Sequence, residues 1–345
     1  MRIEPREISL RKLQLTGGVT YTLSLPKPWI ENMNLQPQDF VRIDWRPSGA
    51  LRLTPLEMLE NQETVININT NNIPKESVHD HLMGAYLSGA DSIRILCPNP
   101  EDRLLQKHIR RFLKNTRGFE TIDETDKRII LKCLIDSSEM PLTASINRMY
   151  SQLSSLTKDI ISAATEQDIR LLDELDEREA EVDALLYLVE RQLSVALESH
   201  LVASSLKITR NQAVEYSNLA RSLERMMDHA YQIAQMIKTS KKIVNQIETS
   251  LISKLSSWLN TLKLLMINIR TRNSIEIEES RQILKSTQKE ILEYENKLIE
   301  ERKLSKSDLF NFRISESIRR MCAYARDFGE ILLNLKLYDD MIVKN

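Results

Sequence analysis

The chain has 345 residues, with 48 Lys+Arg against 49 Asp+Glu and a hydrophobic fraction of 41%. This balance excludes a uniformly basic nucleic-acid coat and an acidic tail, and the apolar content is too high for a disordered chain. No apolar run approaches the roughly 18 residues that a membrane span needs, and the N-terminus lacks the apolar segment of a signal peptide. The three cysteines lie far apart and form neither a disulfide framework nor a zinc motif, so a cytoplasmic location is expected.

Proline and glycine divide the chain into two contrasting halves. All ten prolines fall at or before Pro141, and only one of the seven glycines lies beyond residue 118. Because proline breaks helices and glycine weakens them, residues 141–345 are predicted to form an all-α bundle. The preceding part is predicted to contain strands, so the fold class is multidomain α+β with domains at 1–56, 57–140 and 141–345.

The N-terminal domain shows the alternation of apolar and polar residues that is typical of strands. The pattern runs over residues 8–54, with turn signals at Gly17-Gly18, 36–39 and 47–49. A short helical turn at 28–35 interrupts what is otherwise a pair of hairpins. About 45 residues arranged in this way cannot bury a stable core alone, so we expect this domain to form a homodimer.

The middle domain is predicted to be a small α/β layer. Its pattern gives the order strand, helix, strand, helix, strand, strand, at residues 65–68, 75–87, 92–96, 100–114, 119–122 and 128–134. It contains no glycine-rich phosphate loop, so no nucleotide-binding residues are assigned. His79 and His81 lie two apart on a predicted helix and point away from each other, which favours solvated side chains over a ligand pair.

The helical half shows signs of duplication. Residues 151–155 recur with three matching serines and a leucine at 253–257, and residues 223–230 have a weaker echo at 318–325. These echoes predict two three-helix repeats, at about 142–240 and 241–345, packed as one bundle. A chance match between Leu/Ser-rich helices remains the alternative.

Acidic pairs spaced four residues apart occur only in the first of these repeats. Two of them are Glu179 with Asp183 and Glu224 with Asp228. On a helix, such residues share one face and repel each other unless a cation or a basic side chain intervenes. From spacing alone, a metal site and a solvated face neutralised by Arg178, Arg221 and Arg225 both stay open.

Two motifs in this repeat resemble those of a known family. Residues 223–234, LERMMDHAYQIA, resemble the L-E-R-I-G-D-H-A-x-x-I-A signature of the PhoU family of phosphate-uptake regulators, and residues 179–183 resemble its first E-x-x-x-D motif. The resemblance implies two three-helix repeats and a regulatory protein that acts on a phosphate transporter and a sensor kinase. It implies metal bound by paired carboxylate motifs.

Carried over residue by residue, the resemblance assigns the metal ligands Glu179, Asp183, Glu224 and Asp228. Oxygen ligands favour hard divalent or trivalent ions such as Mg, Mn, Ca or Fe. In the second repeat, Arg319 and Ala323 stand where the motif has its acids, so metal is expected in the first repeat only. His229 follows Asp228 at about 100° around the helix and is expected either to support the ligands or to pack in the core, rather than to be a ligand itself.

The N-terminal domain resembles a second family. Residues 11–29 and 35–43 are similar to AbrB-type swapped-hairpin domains, which implies an interlocked homodimer that binds DNA. Residues 1–56 carry eight Lys+Arg and five Asp+Glu, which agrees with that role. A dimerisation module without DNA binding stays open, and the three-part arrangement resembles an archaeal type of PhoU protein. The expected phosphate contacts are Arg6, Arg11, Lys12 and Lys27.

Two functions therefore follow from the sequence. The first is a DNA-binding transcriptional regulator of phosphate uptake, with the bundle as a metal-binding sensor. The alternative is a signalling adaptor that binds no DNA and docks on a phosphate transporter subunit or its regulators. An enzyme is not expected, and no catalytic residue is assigned, because no HExxH, Cys-x-x-Cys or GxSxG motif occurs.

Overall fold

The computed structural model describes residues 10–45, 50–56, 63–136, 140–239, 247–300 and 305–341. The chain divides into two compact units, residues 1–63 and 64–345. No helix in the described part of the chain is long and apolar enough to cross a membrane.

The N-terminal unit contains two separate antiparallel hairpins and one short helix. Its elements are β1 (Gln14–Thr16), β2 (Thr20–Thr22), α1 (Lys27–Asn32), β3 (Val41–Trp45) and β4 (Leu51–Pro55), with β1 paired to β2 and β3 paired to β4. The strand that the sequence pattern places at 19–25 is only three residues long. Among the residues of this unit whose exposure the structure describes, only Pro55 is buried, so the unit has no apolar core of its own there.

The second unit begins with the α/β layer that the sequence predicts. Its four strands form one sheet in the order first, second, fourth, third along the chain, in which the first two strands are parallel and the other neighbouring strands are antiparallel. Two helices cover it, and three aromatic rings meet edge to face in the core. The elements are β5 (Val65–Asn69), α2 (Val78–Leu87), β6 (Ser92–Leu96), α3 (Arg103–Asn115), β7 (Phe119–Thr125) and β8 (Arg128–Cys133).

The two histidines of α2 differ in their surroundings. His81 is exposed, and its Nδ1 lies 2.8 Å from the Ser77 carbonyl oxygen. His79 is only 7% exposed, and its Nδ1 has no hydrogen-bond partner among the described residues, so its prediction as a solvated residue is wrong. His79 is buried because α2 packs against α3. This burial, together with the nearby charge of Arg111, lowers the pKa of His79.

Six long helices form most of the rest of the described chain. The bounds are α4 (Leu142–Glu166), α5 (Leu175–Glu198), α7 (Arg210–Thr239), α8 (Thr249–Thr271), α9 (Ser274–Glu300) and α10 (Lys306–Asp339), with a short α6 (His200–Ser205) after α5. Buried apolar residues of all six long helices belong to one core, as expected for amphipathic helices without internal proline. The helical bundle that the sequence predicts is therefore present.

Arg191 on α5 joins the bundle to the α/β layer. Its side chain is 2% exposed, and its Nη1 donates to the Tyr86 carbonyl oxygen at 3.0 Å. The guanidinium also lies over the Tyr86 and Phe119 rings, 5.2 and 5.3 Å from their centroids, and 3.7 Å from Asp91. Gly89, at φ +87°, approaches Val195 so closely that a Cβ would lie 2.8 Å from its Cγ2. These contacts fix α5 against the layer.

Candidate metal site in the helical bundle

Helices α5 and α7 each carry one of the predicted acidic pairs. Glu179 and Asp183 lie one turn apart on α5, and Glu224 and Asp228 lie one turn apart on α7. All four side chains are half-buried, and the two helices pack against each other. We call these four residues the acidic cluster.

The electrostatics show that the two pairs share one neighbourhood. Burial raises the pKa of Glu224 to about 7, with further contributions from the negative charges of Asp228 and Asp183. Burial also raises the pKa of Asp183, with the charge of Asp228 adding to it. The pKa of Glu179 is raised by burial and then by Asp183 and Asp228. Residues of one helix thus raise the pKa values of residues of the other, as expected for like charges in close proximity.

The pKa of Asp228 is also raised, although two interactions partly oppose the increase. Burial raises its pKa, whereas the neighbouring His229 and a hydrogen bond with Glu224 oppose the increase. The mutual effect of Glu224 and Asp228 on their pKa values indicates that the two carboxyl groups lie close together, and two carboxyl groups can share a hydrogen bond only with a proton between them. The cluster is therefore an arrangement in which negative charge is costly and a proton or a cation is favoured.

The arginines that could neutralise the cluster bind elsewhere. Arg178 pairs with Asp159 at 2.5 Å, and Arg221 pairs with Glu190 at 2.5 Å. The guanidinium of Arg225 lies over the Tyr324 ring, 5.6 Å from its centroid, although its charge still lowers the pKa of Glu224. Within the described ranges, no member of the acidic cluster has a basic nitrogen within the 4.0 Å of an ion pair.

The chemistry of the donor set fits a hard cation. All the donors are carboxylate oxygens, which suit Mg²⁺, Mn²⁺ or Ca²⁺ better than the nitrogen and sulfur ligands of zinc sites. The side chains are not arranged as a complete coordination shell, because no three acidic, histidine or cysteine groups of the described residues converge on a point that could hold a metal ion. The acidic cluster therefore suits a hard cation because its donors are all carboxylate oxygens and because no basic side chain of the described residues pairs with them.

His229 lies at the contact between α7 and α10. Its ring stacks on Tyr324 with 5.8 Å between centroids and 21° between planes, and its buried Nδ1 has no hydrogen-bond partner in the part of the chain that the structure describes. Burial lowers its pKa, and the charge of Arg320 adds to the effect. This position in the packing between helices agrees with the core role that the sequence predicts.

In the second half of the bundle, a buried carboxylate is paired with an arginine. Glu295 on α9 has a side chain only 4% exposed, and Nε of Arg319 on α10 donates to its two oxygens at 3.2 and 2.9 Å. The Ser315 hydroxyl lies 3.2 Å from the same carboxylate. A guanidinium of the chain itself therefore provides the positive charge that the acidic cluster lacks.

Glu295 is a residue that the sequence analysis missed, although a signal was present. Leu284, Ile291 and Leu298 recur every seven residues on the buried face of α9, and Glu295 lies four residues after Ile291 on the same face. A carboxylate at such a core position requires a partner, and Arg319 is that partner.

The residues predicted to contact DNA belong to the N-terminal unit. Arg11 and Lys12 are exposed and lie just before β1. Lys27 is exposed at the start of α1 and pairs with Glu31 at 3.5 Å. Arg6 lies outside the described residues.

Comparison with known proteins gives one domain match. Residues 146–237 match the family model of the PhoU domain. The matched range runs over most of α4, α5 and α7 and includes all four residues of the acidic cluster. No curated protein matches the chain.

Proposed function

We propose that this protein is a cytoplasmic regulator of phosphate uptake that binds DNA through its N-terminal unit and senses a metal ion through its bundle. The PhoU domain at residues 146–237, on the helices that carry the acidic cluster, supports the regulatory role most directly. Glu179, Asp183, Glu224 and Asp228 would hold the ion, which would offset their mutual repulsion. The role is regulatory rather than enzymatic.

A homodimer through the N-terminal unit is part of this proposal. Large apolar side chains are exposed on both strands of the first hairpin, where Leu15 is 58% and Tyr21 is 71% exposed and the two lie directly opposite each other. Phe40, at 76% exposed, and Ile43, at 58%, are further exposed apolar side chains of the same unit. Exposed apolar area of this kind marks an interaction surface, and a second copy of the unit would bury it.

Leu15→Asp combined with Tyr21→Asp should convert the dimer to a monomer. Two carboxylates placed opposite each other would face a dry interface and repel across the strand pair. Sedimentation velocity of the full-length chain measures the change. Ile275→Asp is the control, because Ile275 is equally exposed, at 71%, but lies on α9 of the bundle. A wild-type chain that sediments as a monomer would contradict the proposed dimer.

DNA binding is tested with the DNA upstream of the protein's own gene. Arg11→Ala with Lys12→Ala should weaken binding by a similar factor for all sequences and reduce the slope of log K against log salt by about 1.8, since each phosphate contact contributes about 0.9. Electrophoretic mobility shift over a salt series measures both quantities. Unchanged affinity of the variant at every salt concentration would show that these residues do not face DNA.

The same experiment separates this function from the alternative adaptor. Salt-dependent binding by the wild-type chain supports the regulator that binds DNA. No binding at low salt would favour the adaptor that docks on a phosphate transporter subunit, with the N-terminal unit serving only to dimerise.

A further inference from the structure

Helix α3 of the α/β layer carries a row of positive charges. Arg103, Lys107, Arg110, Arg111 and Lys114 follow one another at intervals of four, three, one and three residues. At about 100° per residue, this spacing puts all five within an arc of roughly 100°. All five are exposed, and we call them the basic face of α3. Residues 103–117 contain one further Lys or Arg, which is Arg117, and no Asp or Glu.

The opposite side of α3 holds the basic face in a fixed orientation. Leu105, Ile109 and Phe112 are buried in the core of the layer, where Phe112 packs edge to face against Tyr86 and Phe119. The helix begins at a cap in which the Asp102 carboxylate accepts from the Leu104 backbone N–H at 2.9 Å. A cation on this face therefore projects from a well-packed helix rather than from a loop.

Among the described residues, no acidic side chain pairs with the basic face. None of its five residues forms an ion pair in the described part of the chain, and the nearby Asp102 pairs with Lys75 at 3.5 Å instead. Like charges three and four residues apart destabilise a helix by a few tenths of a kcal/mol per pair, and Arg103 in the first turn opposes the helix dipole. Lys114 in the last turn complements the dipole, and Arg110 Nε donates to the Gln106 carbonyl oxygen at 3.3 Å, but no carboxylate of the described residues pairs with any of the five charges. This concentration of positive charge points to an external polyanion as its partner.

The chemistry of the face favours a phosphate backbone over a membrane surface. A helix that lies in a membrane interface needs an exposed apolar side, and the apolar side of α3 is already buried in the core. From Arg103 to Lys114 the face is about 16 Å long, at 1.5 Å per residue. Duplex DNA presents about one phosphate per 1.7 Å of its axis, so several phosphates lie within reach of such a row.

We propose that the basic face of α3 binds the phosphate backbone of double-stranded DNA, as a second contact in addition to the N-terminal unit. The choice of DNA among polyanions rests on the proposed function. Contacts to phosphates add affinity and fix orientation but carry no sequence information. Because α3 and the bundle belong to one compact unit, this contact brings the unit that carries the PhoU domain onto the DNA.

The test compares two triple variants of the full-length chain. Lys107→Gln/Arg110→Gln/Lys114→Gln removes three charges from the basic face and leaves Arg111, which lies close enough to His79 and Tyr187 to affect both electrostatically. Lys158→Gln/Lys263→Gln/Lys285→Gln removes the same charge from exposed positions of the bundle and is the matched control. Circular dichroism establishes that both variants are folded.

Fluorescence anisotropy with a random-sequence duplex, measured over a salt series, gives the result. The α3 variant is expected to bind more weakly than wild type, with a salt slope smaller by about 2.7, since three contacts at about 0.9 each are lost. The control should match the wild type. Wild-type affinity and slope in the α3 variant, while Arg11→Ala/Lys12→Ala weakens binding, would overturn this inference and leave the proposed function standing. If the wild-type chain binds no duplex at low salt, both fail.

A second measurement tests the choice of partner. Vesicles of phosphatidylcholine with and without phosphatidylserine replace the duplex in a co-sedimentation assay. We expect no difference between wild type and the α3 variant. Binding to the anionic vesicles that disappears in the α3 variant, with DNA binding unchanged, would overturn the assignment to DNA in favour of a membrane surface.

Discussion

Replacing Arg319 with methionine is expected to lower the free energy of unfolding by about 3 kcal/mol, because it leaves the buried Glu295 carboxylate without a counter-charge. The Glu295 side chain is 4% exposed, and Arg319 donates to both of its oxygens. Losing one partner of a buried pair typically costs about 3–5 kcal/mol, and the lower end applies because the Arg319 side chain is 34% exposed. Urea denaturation with linear extrapolation measures the loss.

The adjacent arginine provides the control. Arg320 pairs with Glu316 at 3.1 Å, with side chains 51% and 40% exposed, so Arg320→Met should cost less than about 1 kcal/mol. The double variant Glu295→Leu/Arg319→Met should recover most of the stability, since apolar residues often replace a buried ion pair at little cost. Equal losses for Arg319→Met and Arg320→Met would contradict the argument from burial.

Local sequence patterns predicted most of the elements in the second unit. The α/β order and the strand at 92–96 are confirmed, because alternation and turn residues act over a few neighbours. The start of α3 lies three residues later than the predicted 100, since Asp102 caps it. The helices of the bundle also follow from the absence of proline after Pro141.

What the sequence did not predict depends on contacts between distant residues. His79 is buried because α2 meets α3, and neither its burial nor the packing of Arg191 against Tyr86 follows from local periodicity. The first hairpin has strands of three residues, shorter than the alternation at 19–25 indicates. The alternation of apolar and polar residues indicates which side chains favour a strand, but the length of a strand also depends on the strands that it pairs with.

For the acidic cluster too, the sequence predicted the local arrangement but not the contacts between helices. Spacing alone places Glu224 and Asp228 on one face of a helix, whereas their proximity to Asp183 and Glu179 depends on how α5 packs against α7. The arginines nearest in sequence suggested ion pairs with the cluster. In the structure, Arg178 and Arg221 bind other carboxylates, a result that depends on α4 and α5 and is not visible in the spacing.

In the absence of metal, the acidic cluster should make the protein less stable as the pH rises. The pKa of Glu224 is raised from its usual 4.5 to about 7 in the folded state, so the folded protein binds its proton more tightly than the unfolded chain. This contribution to stability is complete below pH 4.5 and is lost as the pH rises through about 7. The raised pKa values of Glu179, Asp183 and Asp228 act in the same direction.

Glu224→Gln with Asp228→Asn should therefore stabilise the metal-free protein at pH 8 by about 1–2 kcal/mol and flatten its dependence on pH. A pKa shift of one unit corresponds to about 1.36 kcal/mol of stability. The free energy expected from the whole shift of Glu224 is reduced here because solvent screens this half-buried side chain. Asp173→Asn/Glu177→Gln is the control, since this pair has the same spacing but both residues are exposed. Thermal unfolding after chelation, at pH 4.5 and pH 8, measures the difference.

Addition of Mg²⁺ or Mn²⁺ should reverse the order of stability at pH 8. An ion that binds only the folded state stabilises it by about 2.7 kcal/mol when the free ion concentration is a hundred times its Kd. The wild-type chain should gain this stability, whereas Glu224→Gln/Asp228→Asn should not. Elemental analysis of protein purified without chelator should find metal in the wild type and in Glu295→Gln, and none in Glu224→Ala/Asp228→Ala. Equal, substoichiometric metal in all three would mean that the four carboxylates hold protons and no ion. The protein would then respond to pH through Glu224 rather than to a metal.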